Sequence, residues 1–146
     1  MLLFTHASML DHEPPRGHAE HAGRLQAVLD ALEHMPFDRR DAPMAQREAL
    51  MRVHPAAYVN ALEPAFAEAR EARVRLDADT YISSGSREAA YRAAGACVAA
   101  VDAVMQGESD MAFCAVRPPG HHAEPISPMG FCIFNNVAVG ALHARS

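Results

Sequence analysis

The sequence contains no lysine and no tryptophan, and it has only three cysteines. Arginine therefore supplies all 13 basic side chains, against 18 acidic ones, and the formal net charge is −5 at pH 7. Because no basic stripe runs along the chain, direct binding to nucleic acid has no support. The cysteines are odd in number and lie far apart at Cys97, Cys114 and Cys132. This spacing argues against a disulfide framework and against a cysteine-based zinc module.

Long apolar runs are also missing. The first ten residues, MLLFTHASML, include no basic segment, and Thr5 and His6 interrupt their apolar character, so we predict no signal peptide. No stretch approaches the roughly 20 apolar residues that a membrane helix needs. We therefore expect no membrane partner and a reducing, cytoplasmic setting.

Half of the residues are hydrophobic, so a chain of 146 residues can bury the core of one domain. Apolar runs and apolar periodicity predict two buried strands and four helices. In chain order these are strand 2–5, helix 18–35, helix 55–73, a helix from Ser84 or Ser86 to about Gln106, strand 111–116 and a helix from about Phe134. Strands that alternate with helices indicate an α/β fold with a parallel sheet, whose ligands bind at the carboxyl ends of the strands.

Several local features refine this outline. Residues 9–17 and 77–84 are rich in turn-forming residues and are predicted as loops. Pro64 falls inside the second predicted helix and should kink or break it. Ser84 or Ser86 is expected to cap the third helix, and Asn135 or Asn136 can cap the fourth.

The segment that follows the second predicted strand carries the clearest chemical signal. It spans residues 117–139 and reads RPPGHHAEPISPMGFCIFNNVAV. Its two prolines restrict the backbone, and Gly120 permits an unusual turn just before the histidines. One imidazole of such a pair can act as a base while its neighbour stays charged and stabilises developing negative charge. From these residues alone, His121 and His122 fit proton transfer and an ordinary loop equally well.

Two further features leave alternatives open. His12, His18, Glu20 and His21 form an N-terminal group of a type that can bind metal, but we expect structural or solvent-exposed roles for them. Phe131 follows a glycine and could line an apolar channel, although simple core packing explains an apolar residue there as well.

Taken whole, residues 117–139 resemble the active-site segment of the zinc-dependent histone deacetylase family. The sequence of this segment is most similar to bacterial class II-like members, a group that includes deacetylase-like amidohydrolases, acetylpolyamine amidohydrolases and acetoin-utilization proteins. Three more segments extend the resemblance along the chain: GHAEHAGRLQAV (17–28), LMRVHPAAYVNAL (50–62) and DTYISSGSREAAYRAAG (79–95). Ala19 and Ala22 stand where that family usually has proline.

The resemblance implies an arginase-like α/β fold, with a parallel sheet flanked by helices and zinc at the carboxyl ends of its strands. The implied reaction is hydrolysis of the acetyl amide of an acetylated lysine or polyamine. By the same resemblance, His122 would be the general base and acid, with His121 as its charged partner. Gly130 and Phe131 would line the channel around the acetylated chain, and Cys132 would lie beside the acetyl pocket.

The resemblance also implies that residues 1–146 are the N-terminal portion of a single deacetylase domain, truncated within the fold. In the family, the zinc ligands, the carboxylates that pair with the tandem histidines and a carbonyl-polarising tyrosine all lie downstream of the matching segment. We therefore expect Zn²⁺ in a full-length member, no metal ligands in this chain, and no activity from this chain alone. Because a divided sheet leaves an open edge, we also expect self-association or pairing with the missing C-terminal half.

Two other readings remain open. The chain could be a catalytically inactive, truncated deacetylase-like protein that serves as an interaction module. It could also be an arginase-like metallohydrolase that shares the fold but not the chemistry. That class needs clusters of acidic ligands, which the sequence lacks, and the tandem histidines after Pro-Pro-Gly favour a deacetylase.

Overall fold

A short parallel sheet joins three strands that come from widely separated parts of the chain. The computed structural model describes all of residues 1–146. Its elements are a 3-10 helix at Ala7–Asp11 together with β1 Leu2–Thr5, α1 Ala22–Ala31, β2 Asp38–Asp41, α2 Arg47–Met51, α3 Ala56–Glu68, β3 Val74–Arg75, β4 Tyr81–Ile82, α4 Ser86–Met105, β5 Ala112–Cys114 and α5 Asn136–His143. The sheet has the order β2-β1-β5 with both pairings parallel, and β3 pairs with β4 in a separate antiparallel sheet.

Both predicted strands are present. β1 has the predicted bounds, and its residues Leu2, Leu3 and Phe4 are all buried, because apolar groups cover both faces of the sheet. β5 is shorter than predicted, although the N–H of Ala115 still donates to the carbonyl oxygen of Phe4 just beyond it. The predicted parallel sheet flanked by helices is confirmed.

Five short elements were not predicted, namely the 3-10 helix, β2, α2, β3 and β4. β2 has the sequence DRRD, which contains no apolar residue, and its side chains remain largely exposed at the sheet edge. α2 has five residues and β3 and β4 have two each, too few for a periodic pattern. Parts of the predicted loops 9–17 and 77–84 therefore have regular secondary structure, as the end of the 3-10 helix and as β4.

All four predicted helices are present, and the first two are shorter than predicted, whereas the third has nearly its predicted bounds at Ser86–Met105. The helix expected at 18–35 covers only Ala22–Ala31. In the segment before it, the backbone N–H of Glu20 donates to Nδ1 of His18. The helix expected at 55–73 covers Ala56–Glu68. It continues through Pro64, so of the predicted kink or break, the break is wrong. Pro64 lies on the exposed side of this helix, where water can satisfy the carbonyl group that it leaves unpaired.

Caps were predicted with mixed success. The N-cap of α4 is Gly85 rather than a serine, and an added Cβ there would lie 2.4 Å from the carbonyl oxygen of Asp11. Asn135 does cap α5, since its side chain accepts a hydrogen bond from the N–H of Ala138. The residue at the start of α4 is therefore determined by close packing against a distant segment, whereas the cap of α5 follows the local preference for asparagine.

Close packing of α4 depends on small residues. Ala89, Ala93 and Ala96 are fully buried on this helix, whereas Cys97 is half-buried and Val104 is exposed, so its apolar side is only partly covered. Gly95 makes the closest approach, because an added Cβ would lie 2.0 Å from the carbonyl oxygen of Pro43. None of the helices combines the length and the apolar character that crossing a membrane would require.

Replacing Gly95 with alanine should therefore destabilise the fold. The new methyl group would meet rigid backbone, and overpacking of this kind costs about 3 kcal/mol at its upper range. The matched control is Gly140→Ala on α5, where the nearest atom to an added Cβ lies at an ordinary 3.4 Å. Urea unfolding should show a large loss for Gly95→Ala and no loss for the control. Equal unfolding free energies for the two variants would contradict this packing.

Candidate active site

The tandem histidines lie in the loop that leaves the carboxyl end of β5, where the sequence places them. The Arg117–Pro118 peptide bond at the start of this loop is cis. Gly120 then passes under the first turn of α5, where its carbonyl oxygen accepts a hydrogen bond from the N–H of Val137. An added Cβ at Gly120 would lie 2.2 Å from Cγ of Asn136, so this crossing requires glycine.

The two imidazole rings lie against each other. Their centroids are 4.0 Å apart and their planes are tilted by 48°. Both residues are exposed, and neither ring hydrogen-bonds to another group of the chain. The backbone N–H of His122 donates weakly to Sγ of Cys132 at 3.5 Å. The pair is thus presented side by side, with its ring nitrogens free to meet other groups.

Residues 130–132 form the support beneath His122. Gly130 has φ +55°, and an added Cβ would lie 2.9 Å from Cγ of the His122 ring. Cys132 is fully buried, and its thiol donates to the carbonyl oxygen of Gly130 at 3.4 Å. The structure therefore brings two of the three predicted substrate-binding residues into direct contact with His122.

Phe131 is held apart from the core. Its φ of +70° is unusual for a residue with a side chain, and its N–H donates to Oγ1 of the buried Thr80 at 3.1 Å. The Phe131 ring packs edge-on against His18 with centroids 5.1 Å apart. His18 is itself fixed, because its Nε2 donates to the carbonyl oxygen of Asp79. Phe131 is half-exposed and belongs to neither apolar core cluster, so core packing does not explain its position.

A buried ion pair anchors the start of the loop, and sequence reasoning missed it. Arg117 is 2 % exposed, and its guanidinium donates to both carboxylate oxygens of Glu20 and to the carbonyl oxygens of Met9 and His12. Burial opposes the charge on Glu20, but hydrogen bonds from His12 and Arg117 outweigh it and lower the pKa of this carboxyl group. The pair links segments 97 residues apart, so no local pattern could reveal it.

The N-terminal histidines have structural or exposed roles, as expected. His12 is buried with Nδ1 2.6 Å from Oγ of Ser86, and burial lowers its pKa despite the nearby carboxylate of Glu20. Its neutral ring completes the network around Arg117. His21 is exposed at the start of α1.

A second missed group supports the loop from the other side. His54 is completely buried, and its ring nitrogens contact the backbone at Pro125 and Asn135. Burial lowers the pKa of His54, against an opposing effect of backbone carbonyl groups. Tyr58 donates its hydroxyl to the carbonyl oxygen of Ile133 at 2.7 Å.

The Zn²⁺ that the resemblance implies does not fit the residues present. No group of three or more histidine, cysteine, aspartate or glutamate side chains in the chain is arranged to hold a metal ion. The closest pair of imidazoles belongs to consecutive residues and has no carboxylate in hydrogen-bonding contact. The geometry therefore provides two exposed imidazoles with the half-exposed Phe131 nearby, but not a metal centre.

Comparison with known proteins shows which family and fold the chain is similar to. Residues 18–146 match the profile described as "Histone deacetylase domain". The chain is 41% identical over 140 residues to the histone deacetylase-like amidohydrolase of Pseudomonas aeruginosa. It is also 37% identical over 147 residues to a probable deacetylase of Methanothermobacter thermautotrophicus. The crystal structure of the HDA15 HD domain superimposes on 99% of the chain with a TM-score of 0.91 and 30% identity.

These matches cover most of this chain but only part of each relative. The chain is covered to 92% by the Pseudomonas protein and to 99% by the archaeal protein, whereas it covers 36% and 43% of them. It covers 44% of the HDA15 HD domain chain. The chain thus spans less than half the length of these relatives.

Replacing Arg117 with alanine should strongly lower the free energy of unfolding. Arg117→Ala would leave the Glu20 carboxylate buried without its partner, and breaking a buried pair in this way typically costs about 3–5 kcal/mol. Arg40→Ala is the matched control, because that arginine pairs with Asp38 and Glu108 at the exposed sheet edge. Chemical denaturation should show a large loss for the first variant and almost none for the second. A small loss for Arg117→Ala would mean that the pair does not anchor the loop.

Acid should weaken the fold before carboxylates titrate. His12 and His54 both have a pKa below the ordinary value of 6.5, so the unfolded chain binds more protons than the folded chain at lower pH. The free energy of unfolding should therefore be constant at higher pH and fall as the pH drops below about 6.5. Denaturation measured from pH 8 to pH 5 checks this, and a His12→Gln/His54→Gln double variant should flatten the slope. A stability that does not change over this range would show that these rings are not held neutral.

Proposed function

Because this chain belongs to the histone deacetylase family, we propose that it supplies the proton-transfer part of a zinc-dependent deacetylase active site. The substrate would be an acetylated lysine or an acetylated polyamine, and the reaction hydrolysis of its acetyl amide. The observation that carries this proposal is the exposed pair His121 and His122, supported by residues 130–132 at the carboxyl end of β5.

His122 is the proposed general base and acid. It would take a proton from the water that attacks the acetyl carbon, and return that proton to the amine nitrogen as the C–N bond breaks. The products are then acetate and the free amine. The backbone N–H contact to Cys132 and the support of Gly130 hold this ring in place for both transfers.

His121 is the proposed charged partner. With the ring centroids 4.0 Å apart, two positive imidazolium rings would repel each other. A charged His121 would therefore favour return of the proton from His122 to the leaving amine. The same charge would stabilise the negative oxygen that develops when water adds to the acetyl group.

Residues 130–132 are the proposed surroundings of the acyl chain. The half-exposed Phe131 ring, fixed by His18 and Thr80, would contact the methylene groups of the lysine or polyamine. Gly130 keeps the space beside His122 narrow, and Cys132 would lie next to the acetyl group. An apolar, rigid surface of this kind suits an extended alkyl chain.

The zinc ligands would come from residues outside this chain, on a segment that packs against β5. This strand has no partner on its outer side, and Phe113 on it is 42% exposed. Beside it lies an apolar cavity of about 280 Å³ between α4, β5 and α5. We propose that the remainder of a deacetylase domain covers this surface.

A second candidate function is that of a non-catalytic interaction module. It is favoured by the same open edge, where Met105 and Met111 are 70% and 60% exposed. A chain of this kind would bind a partner segment through β5 but would hydrolyse no acetyl amide after binding.

A chimera distinguishes the two candidates. Residues 1–146 would be joined to the part of the Pseudomonas aeruginosa amidohydrolase that follows its matching region. We expect the chimera to bind zinc and to release acetate from an acetyl-lysine peptide or an acetylpolyamine. His122→Ala should lower kcat about 100-fold or more, because general acid–base groups contribute at least that much.

The matched control is His34→Ala, since His34 is exposed after α1 and lies outside the site. This variant should keep the kcat of the parent chimera. A folded, zinc-loaded chimera without acetate release would favour the interaction module. An unchanged kcat for His122→Ala would overturn the assigned role of that residue.

A further inference from the structure

The loop that carries the tandem histidines depends on contacts from outside itself. Between Pro118 and Asn135 it has only two isolated backbone bridges, Glu124 with Ser127 and Met129 with Cys132. The additional support comes largely from the segment around α3, where Tyr58 donates its hydroxyl to the carbonyl oxygen of Ile133. Four residues before Tyr58, His54 makes two hydrogen bonds to the backbone of this loop.

The hydrogen bonds of His54 define its tautomer. Its Nδ1 lies 3.0 Å from the carbonyl oxygen of Pro125, and the backbone N–H of Asn135 donates to its Nε2 at 3.0 Å. A carbonyl oxygen can only accept and a backbone N–H can only donate, so the hydrogen must lie on Nδ1 and the lone pair on Nε2. Only the neutral ring satisfies both neighbours.

Asn135 connects this ring to the proposed catalytic residues. Its Nδ2 donates to the carbonyl oxygen of Ala123 at 2.9 Å, and Ala123 directly follows His122. Its Oδ1 accepts from the N–H of Ala138 and caps α5. Thus His54 fixes the backbone of Asn135, and the side chain of Asn135 fixes the backbone beside His122.

We propose that His54 is a positioning residue for the tandem-histidine loop, which it holds at Pro125 and Asn135 only as the neutral tautomer with hydrogen on Nδ1. Protonation would place an N–H of the ring against the N–H of Asn135 and release that side of the loop. The effect on hydrolysis rests on the proposed function, whereas the tautomer and the two contacts do not.

The surroundings of the ring favour this neutral form. Tyr58 stacks on it with centroids 5.1 Å apart, and Phe134 packs against it at 5.6 Å. The other facing groups are the backbone carbonyls of Pro125 and Glu124, and Tyr58 is the one titratable side chain among them. Burial raises the pKa of Tyr58, so it stays uncharged, and burial lowers the pKa of His54. No carboxylate is thus in place to stabilise a charged ring.

Nuclear magnetic resonance of the 146-residue chain tests the tautomer without any substitution. With ¹⁵N-labelled histidine at pH 7.5, Nδ1 of His54 should show a protonated shift and Nε2 an unprotonated one. The amide of Asn135 should exchange slowly at this pH. On acidification, its protection factor should fall together with the titration of His54. The opposite tautomer, or a charged ring at pH 7.5, would overturn the proposal.

Two substitutions and one control extend the test. His54→Gln keeps an acceptor for the N–H of Asn135, whereas His54→Phe keeps ring volume but loses both hydrogen bonds. Protection of the Asn135 amide should be retained in the first variant, without its acid-dependent loss, and should fall at least tenfold in the second. His34→Gln, at an exposed site, should behave like the parent. Equal protection in the two His54 variants would contradict the role of the acceptor.

The chimera reports the catalytic consequence. His54→Phe should lower kcat about 100-fold with little change in KM, as expected for displaced catalytic groups. His54→Gln should keep much of the kcat of the parent chimera. Loss of thermal stability without this split between kcat and KM would indicate a merely structural residue. If the parent chimera is inactive, the proposed function fails, while the tautomer and amide protection still decide the role of His54.

Discussion

The buried contact between the guanidinium of Arg117 and the carboxylate of Glu20 joins the two parts of the chain that build the site. Glu20 lies just before α1, and Arg117 lies where the chain leaves β5. Both side chains are almost fully buried, so each charge depends on the other. Because the same guanidinium also binds the carbonyl oxygens of Met9 and His12, the segment after β1 is fixed against the start of the histidine loop.

From this anchor the loop is held in three places. Gly120 crosses beneath α5, Gly130 supports the ring of His122, and His54 holds the backbone at Pro125 and Asn135. The two glycines act because a Cβ would collide with a neighbour, and His54 acts because its two nitrogens match one acceptor and one donor. The loop is therefore held by close backbone packing at the two glycines and by the hydrogen bonds of His54, with little regular secondary structure of its own.

The sequence predicted what depends on local pattern. The apolar run of β1 has the predicted bounds, and the tandem histidines lie at the carboxyl end of β5 as expected. The resemblance to histone deacetylases rested on residues 117–139 and three other segments, and the match over residues 18–146 confirmed it. The α/β fold class followed from this alternation of strands and helices, because β1, β5 and the longer helices are long enough or apolar enough to leave a signal.

What could not be predicted depends on contacts between distant residues. The charged strand β2 owes its conformation to pairing with β1. The contacts of Arg117 with Glu20 and of His54 with Asn135 leave no local pattern in the sequence, because each joins residues that are far apart along the chain. The proposed division of an active site between this chain and a further segment is tested most directly by a crystal structure of the chimera with a non-hydrolysable acetyl-lysine analogue. Our account predicts the acetyl group beside His122 with the alkyl chain along Phe131. An analogue bound away from the tandem histidines would contradict it.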